Sequence, residues 1–389
     1  MLRFLTAGES HGKGLVIILE GMVAGLSLSE DYINRQLRRR QWGYGRGERM
    51  KIEKDEAEII SGVRHGKTMG SPISLTVKNR DWENWKDAMS VSPVEANVEP
   101  LTRLRPGHAD LPGTIKYHLS DIRPVLERAS ARETVARVAA GAIAERFLEE
   151  FGVRVHSYTL AVGRHRIVGP EKVDWEALDN SPLRCPDDEV EKAMVAEIDS
   201  AREAGDSLGG IFEVIVTGVP IGLGSHTHWD RRLSGKLAQA VMSINAVKGV
   251  EIGDGFDIAG VNGSEAHDVI KPPSECNGSW GHRTNHAGGL EGGISNGEAI
   301  VIRCAVKPIS TMKKPLPSVD LVTGKVIEAH YERSDICIVP AAGVIGEAMV
   351  ALVLADAMLV KFGGDNLVET LHHYQVYLNM VSLMTPGTK

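Results

Sequence analysis

The sequence predicts an α+β fold: a single, internally duplicated domain layered sheet, helix, sheet around two central alanine- and glycine-rich helices. Three observations predict it. The chain aligns with itself, since Gly8-Glu9-Ser10-His11-Gly12 followed by the apolar run Leu15 to Leu26 matches Gly205-Asp206-Ser207-Leu208-Gly209 followed by Phe212 to Leu223 without a gap. Two helical stretches, Glu133 to Glu150 and Ala341 to Phe362, are rich in small residues that let backbones approach closely. No Pro/Ser-rich linker interrupts the 389 residues, so the two related halves, about 1–190 and 200–389, are expected to share one core.

In chain order, Leu15 to Leu26 and its counterpart Phe212 to Leu223 are β-branched, apolar runs ending in glycine turns, which is the pattern of strands. A helix is expected to start near Ser29; Tyr32 stands where a capping box would have glutamate, so only half of the cap is present. Gly62, Gly66 and Gly70 before the strand Ile73 to Val77 match Gly289, Gly293 and Gly297 before Ala299 to Val306. Glu127-Arg128-Ala129-Ser130, followed by Ala139-Ala140-Gly141, is echoed by Glu332-Arg333-Ser334-Asp335, followed by Ala341-Ala342-Gly343. The acidic helix Pro186 to Ala204 is expected to bridge the halves, and Lys271 to Gly293 to form a long loop over the site. Ala341 to Val360 is apolar enough to raise a membrane helix, but Glu347 and Asp356 interrupt it on opposite sides, which favours a helix buried in protein.

Composition narrows the function. Hydrophobic residues make up 42% and charged residues 24%, ordinary values for a globular protein, and the net charge of -7 excludes nucleic-acid binding through a globally basic surface. The four cysteines form no Cys-x-x-Cys pair, and the N-terminus has no apolar run with a cleavage site, so reduced thiols and a cytoplasmic location, away from membranes, are expected. With 42 glycines, tight turns and close backbone approaches are expected to be frequent.

The chemistry is concentrated in glycine-framed turns. His11 lies in Gly8-Glu9-Ser10-His11-Gly12 and His108 in Arg105-Pro106-Gly107-His108-Ala109-Asp110. Histidine can hold or release a proton near neutrality, and arginine's fork matches phosphate and carboxylate, so the combination points to proton transfer on a multiply anionic substrate. The run Arg38-Arg39-Arg40-Gln41-Trp42-Gly43-Tyr44-Gly45-Arg46-Gly47-Glu48-Arg49 gathers further guanidinium groups in a glycine loop. It also resembles RNA-binding segments, which a single copy in an acidic chain supports poorly. No dinucleotide or P-loop glycine fingerprint is present, so a cofactor phosphate needs another anchor; Lys307-Pro308-Ile309-Ser310-Thr311 and Arg128-Ala129-Ser130-Ala131-Arg132 each offer cations and hydroxyls. His226-x-His228-x-Asp230 has the spacing of a metal-dependent hydrolase, but Arg231 follows it and would oppose a dication, so no metal is expected.

Taken together, the motifs resemble the chorismate synthase family. They are Gly8-Glu9-Ser10-His11-Gly12, Gly45-Arg46-Gly47, the turn from Arg105 to Asp110, Arg128 to Thr134, Gly205 to Gly210, Asn285-His286-Ala287-Gly288-Gly289 and Arg333-Ser334-Asp335. The resemblance covers nearly the whole chain. It implies a homotetrameric enzyme that removes phosphate and a C6 proton from 5-enolpyruvylshikimate 3-phosphate by anti-1,4 elimination, giving chorismate, with reduced FMN required but not consumed. The reductant for the flavin is either NADPH or a separate flavin reductase.

The same resemblance implies roles by position. Arg40, Arg46, Arg49, Arg105, Arg132 and Arg333 would hold substrate anions, with Arg40 and Arg46 also near the NADP(H) site proposed for the family. His108 would protonate the departing phosphate. His11, with Ser10 and Ser130 in its relay, would serve the flavin, and Asp335 would help pass on the C6 proton. The flavin would contact Arg128, Ala129, Ser130, Asn245, Ala246, Gly292, Lys307, Pro308, Ile309, Ser310, Thr311 and Arg333. Alanine at 129 and histidine at 286 depart from the family pattern around the flavin.

Overall fold

Strict alternation along Gly14–Glu20, where Leu15, Ile17 and Leu19 are buried and Val16, Ile18 and Glu20 exposed, makes this segment a strand with one face on the core. It lies in the first of the two larger antiparallel sheets in a computed structural model that describes all residues except 48–53, 95–97, 170–172, 277–278, 333 and 385–389. The first sheet contains β1 (Arg3–Ala7), β2 (Gly14–Glu20), β3 (Ala57–Ser61) and β4 (Ile73–Lys78), in the order β1-β2-β4-β3. The second contains β5 (Arg154–Val162), β6 (His165–Arg166), β7 (Gly210–Thr217), β8 (Val247–Ile252) and β9 (Ile300–Val306), in the order β6-β5-β7-β9-β8. With the short β6 set aside, the two orders are the same, strand for strand. The duplication is therefore built into the topology.

The helices repeat as well. Among the main ones, α1 (Glu30–Gln41) lies between β2 and β3, and α2 (Asp110–Tyr117), α3 (Arg123–Ala129) and α4 (Thr134–Glu149) follow β4. In the second half α5 (Asp188–Ala204) precedes β7, α6 (Leu233–Met242) lies between β7 and β8, and α7 (Val339–Phe362) and α8 (Leu367–Leu383) close the chain. Ser29 caps α1 by accepting a hydrogen bond from the Tyr32 N–H at 3.2 Å, without a reciprocal partner at Tyr32, as the sequence indicates.

Three expectations need adjustment. The runs expected as strands to Leu26 and Leu223 end earlier, at Gly21 and Gly218, whose φ angles of +96° and +77° turn the chain out of the sheet. Helix α5 does not bridge the halves: β5, although it precedes residue 190, already belongs to the second sheet, so α5 is a connection between β5 and β7 within that layer. The boundary between the sheets accordingly falls in the turn before Arg154, not at 190–200 as the repeat alone suggested. The expected long loop is partly built, since Ile270 and Lys271 pair with His282 and Gly281, and Leu290 pairs with Ser295.

The core lies where α4 and α7 pack against each other between the sheets. Helix α4 meets β2, whereas α7 meets β5 and β7. Helix α7 is long and apolar enough to cross a membrane by length and composition, yet 83% of that window is buried inside the protein. Small residues set its spacing. A Cβ at Gly141 would come within 2.3 Å of the Ala348 Cβ and 2.5 Å of its Cα, and one at Gly346 within 2.7 Å of the Phe212 ring. A charged cluster interrupts the apolar packing: Glu347 of α7, fully buried, accepts hydrogen bonds from Arg39 of α1 at 2.6 and 3.0 Å and from Ser157 of β5 at 2.7 Å, with Arg184 at 3.4 Å. Burial opposes the charge of Glu347, but Arg39 and Arg184 hold its carboxyl below the usual carboxylate range.

Gly141→Ala should force α4 and α7 apart, because the obstructing atoms include backbone. An expected loss of about 1–3 kcal/mol, read from the urea unfolding midpoint, follows from overpacking. An unchanged midpoint would show that the helices are not held at this distance.

Candidate active site

Seven segments from both halves converge on one cavity of about 500 Å³, within the size range of small-molecule clefts. The β1–β2 turn brings Ser10 and His11. The backbone N–H of Ser10 donates to the backbone oxygen of Glu127 at 3.1 Å, which ties this turn to α3. His11 is 5% exposed, and its ring stacks on Trp85 with centroids 3.7 Å apart and planes inclined by 23°. Its N–H donates to Glu127 Oε2 at 2.7 Å and its Nδ1 lies 2.8 Å from Glu127 Oε1. Ser130, at the end of α3, donates to Ser10 Oγ at 3.1 Å, so the two serines of the expected relay do meet.

His108 comes from the turn leading into α2. Asp110, completely buried, accepts from Arg105 Nε at 2.8 Å and Nη2 at 3.0 Å, and from His108 Nδ1 at 2.6 Å. A carboxylate can only accept, so the His108 proton on Nδ1 points to Asp110 and Nε2 is the nitrogen available to a ligand. Although burial works against its charge, the hydrogen bonds from His108 and Arg105 hold the Asp110 carboxyl well below the usual carboxylate range.

The remaining cations are anchored in the same manner. Arg132 donates to Asp55 Oδ1 at 3.1 Å, to Asn79 Oδ1 at 3.0 Å and to the Ser10 carbonyl at 3.0 Å. Arg40 donates to Thr134 Oγ1 at 2.9 Å and to the Ala131 carbonyl at 3.0 Å, with Asp55 at 4.0 Å. Arg46 faces Asp335 Oδ2 at 3.3 Å, and Asp335 Oδ1 accepts from the Gly47 N–H at 2.6 Å. That contact depends on Gly45, whose φ of +83° lets its carbonyl accept from the Ile336 N–H at 2.8 Å.

The opposite wall comes from the second half. Asn245 donates to the Ala129 carbonyl at 3.0 Å, Ala246 holds a φ of +69°, and Lys307 Nζ donates to the Gly107 carbonyl. Burial and the neighbouring Lys248 push the Lys307 ammonium below its ordinary value. Leu126, Ile244, Val247 and Ile338 give this side an apolar surface, while Pro308, Ile309, Ser310 and Thr311 continue the rim.

Most of the residues expected from sequence therefore meet: Ser10, His11, Arg40, Arg46, Arg105, His108, Ala129, Ser130, Arg132, Asn245, Ala246, Asp335 and Lys307 to Thr311 all line this cavity. Two do not. The Arg128 guanidinium is turned to the free edge of β1, donating to the Thr6 and Gly8 carbonyls at 2.9 and 3.0 Å, and Gly292 sits in the 290–295 hairpin beside His226. Arg49 and Arg333 lie outside the described residues. His286 is held by Asp254, 2.6 Å from its Nδ1. His228 pairs with Asp230 at 2.7 Å, both more than half exposed and away from the cavity. Within the described part of the Arg38 to Arg49 run, Arg39 is largely withdrawn from solvent and pairs with Glu347, and Arg40 is buried facing Asp55.

Sequence reasoning missed Asp55, Asp110 as a partner, Glu127, Lys248 and Glu332, which faces Arg105 at 3.6 Å. Asp110 had a signal, its place two residues after His108, but Asp55 and Glu127 lie far from their partners in sequence.

A buried cluster of guanidinium groups beside two imidazoles, at the junction of duplicated β/α halves, gives this α+β protein the chemistry to bind a small, multiply anionic molecule and to move a proton. Comparison with known proteins narrows this further. The family model for chorismate synthase matches residues 2–359. The chain is 55% identical to the chorismate synthase of Moorella thermoacetica over 387 residues, covering 98% of this chain and 100% of that one. It is also 55% identical to that of Aquifex aeolicus, covering 98% of each. A solved structure described as the crystal structure of chorismate synthase superposes with a TM-score of 0.80 at 45% identity, covering 98% of both chains. The chain belongs to the chorismate synthase family.

The Asp110 cluster gives a pH-dependent contribution to stability. Its carboxyl is lower in the folded protein than the ordinary aspartate value of 3.8, so the stabilisation is fully present above that value and is lost as pH falls through the folded one. Urea midpoints of the wild type and Asp110→Asn should differ most above about pH 5 and converge on acidification. A gap that stays constant down to about pH 2 would show that the carboxylate charge is not what holds this turn.

Proposed function

We propose that this cavity converts 5-enolpyruvylshikimate 3-phosphate to chorismate by anti-1,4 elimination of phosphate, with reduced FMN bound and not consumed. The observation that carries the reading is the convergence of His11 and His108 with Arg40, Arg46, Arg105 and Arg132 on one cavity. A substrate with a phosphate and two carboxylates needs several guanidinium forks, and a local cluster supplies them on a chain of net charge -7.

The residues also fit a flavin. Asn245 Oδ1 is buried at this wall without a partner among the described residues, an acceptor suited to a ring N–H. The apolar side of Leu126, Ile244, Val247 and Ile338 suits a flat ring, and Lys307, Ser310 and Thr311 supply a cation and hydroxyls for its phosphate. Bound there, reduced FMN supplies the transient electron density that loss of phosphate from an unactivated C–H system requires.

The protein's own residues then have separable tasks. Arg105, clamped by Asp110, presents a fixed positive charge beside the imidazole of His108, and His108 delivers a proton from Nε2 to the departing phosphate oxygen. His11 donates from Nε2 to the flavin-facing side of the cavity, with Ser10 and Ser130 linked behind it. Asp335, whose Oδ1 accepts from the Gly47 N–H and whose Oδ2 faces Arg46, helps pass on the C6 proton.

Under anaerobic conditions the protein with reduced FMN should release phosphate from 5-enolpyruvylshikimate 3-phosphate; activity with oxidised flavin alone, or loss of activity on chelation, would contradict the reading. His108→Ala should keep flavin binding and lower turnover by roughly 10²- to 10⁴-fold, the range for losing a general acid. Near-normal turnover would remove His108 from that role.

A further inference from the structure

We propose that Glu127 is the positioning residue of His11, fixing which ring nitrogen carries the proton and which faces the cavity. This rests on the assignment of the cavity to phosphate elimination.

The Glu127 side chain is fully buried, a placement that costs several kcal/mol for a carboxylate unless its charge is matched. Arg123 stands 3.7 Å away, outside hydrogen-bond distance. The close contacts are all with His11: its backbone N–H at 2.7 Å from Oε2, and its Nδ1 at 2.8 Å from Oε1 and 3.0 Å from Oε2. The Glu127 backbone oxygen holds Ser10 at 3.1 Å. One residue thus grips two consecutive positions of the β1–β2 turn, through both its main chain and its side chain.

The consequence for the imidazole is chemical. A carboxylate only accepts, so Nδ1 must be the protonated nitrogen, and moving that proton to Nε2 would set a lone pair against the charge of Glu127. Trp85 covers one face of the ring at 3.7 Å. Nε2 is the nitrogen left to the cavity, and a proton gained or lost there is answered by the buried charge on the far side of the ring. Arg132 and Asp55 brace the same turn by a separate route, through the Ser10 carbonyl, so removing the charge of Glu127 does not by itself release the loop.

The test uses the full-length protein, with three variants: Glu127→Gln, His11→Ala and the two combined. In ¹⁵N-histidine spectra of the wild type, with His11→Ala identifying the resonances, the proton of the neutral ring should reside on Nδ1. In Glu127→Gln, kcat should fall by about 10²-fold, with KM and flavin affinity within about threefold, because orientation and charge compensation are lost while the shape is kept. In the His11→Ala background the same substitution should change kcat by less than about twofold, since a residue acting through a missing partner has nothing left to act on. A neutral ring with its proton on Nε2 instead of Nδ1 would overturn the proposal, as would an equal loss in both backgrounds. If Glu127→Gln does not fold, the wild-type spectrum still decides. If the wild type releases no phosphate at all, the assignment of function fails, and the spectrum tests the role of Glu127 independently.

Discussion

Placing guanidinium groups in a protein wall is costly, and the structure tolerates it because each described arginine of the cavity has an acid at its back. Arg40, Arg105 and Arg132 are each no more than 7% exposed. Removing such ions from water costs several kcal/mol each unless charge and hydrogen bonds compensate. Asp110 compensates Arg105, Asp55 lies between Arg132 and Arg40, and Asp335 faces Arg46. The arginines are thereby held rigid and partly neutralised at the cavity wall. An acidic chain can then bind a triply anionic molecule without a basic surface.

Duplication provides the scaffold for this arrangement. The two halves have the same strand order, but the equivalent turns have diverged in chemistry. Gly8 to Gly12 carries Ser10 and His11 into the cavity, whereas in Gly205 to Gly209 Ser207 donates to the Ile309 carbonyl at 2.7 Å and Leu208 to the Ile336 carbonyl at 2.8 Å. One copy of the motif faces the cavity, and the other braces the segments that hold Lys307 to Thr311 and Asp335. The close contact of α4 and α7 at Gly141 and Ala348 sets how near these two turns can come.

Much of this was legible in the sequence, and for identifiable reasons. The duplicated glycine motifs and the small-residue helices reveal themselves locally, because spacing along the chain is what defines them. His108 with Arg105 and Asp110 is nearly so, as three members of the cluster lie within six residues. The partners of His11 and Arg132 are not, since Glu127 and Asp55 are ordinary acids in sequence and acquire meaning only when α3 and the segment before β3 fold against the β1–β2 turn. Helix α5 was misplaced because a self-alignment reports equivalent motifs and says nothing of a strand such as β5 that joins its sheet ahead of them. Arg128 was assigned to the flavin by motif, but its guanidinium serves the edge of β1.

The buried pair of Arg39 and Glu347 has a bearing on the cavity that its location conceals. Arg39 precedes Arg40, and consecutive helical residues differ in direction by about 100°. Locking one against the midpoint of α7 therefore works as an indexing pin for α1: the helix can neither slide nor roll without losing that pair, and Arg40 is aimed by a joint it does not belong to. Ion pairs of this kind often add little net stability and instead specify one alignment among several. The aim of a ligand-binding arginine is thus set in the dry interior, where solvent and substrate cannot disturb it.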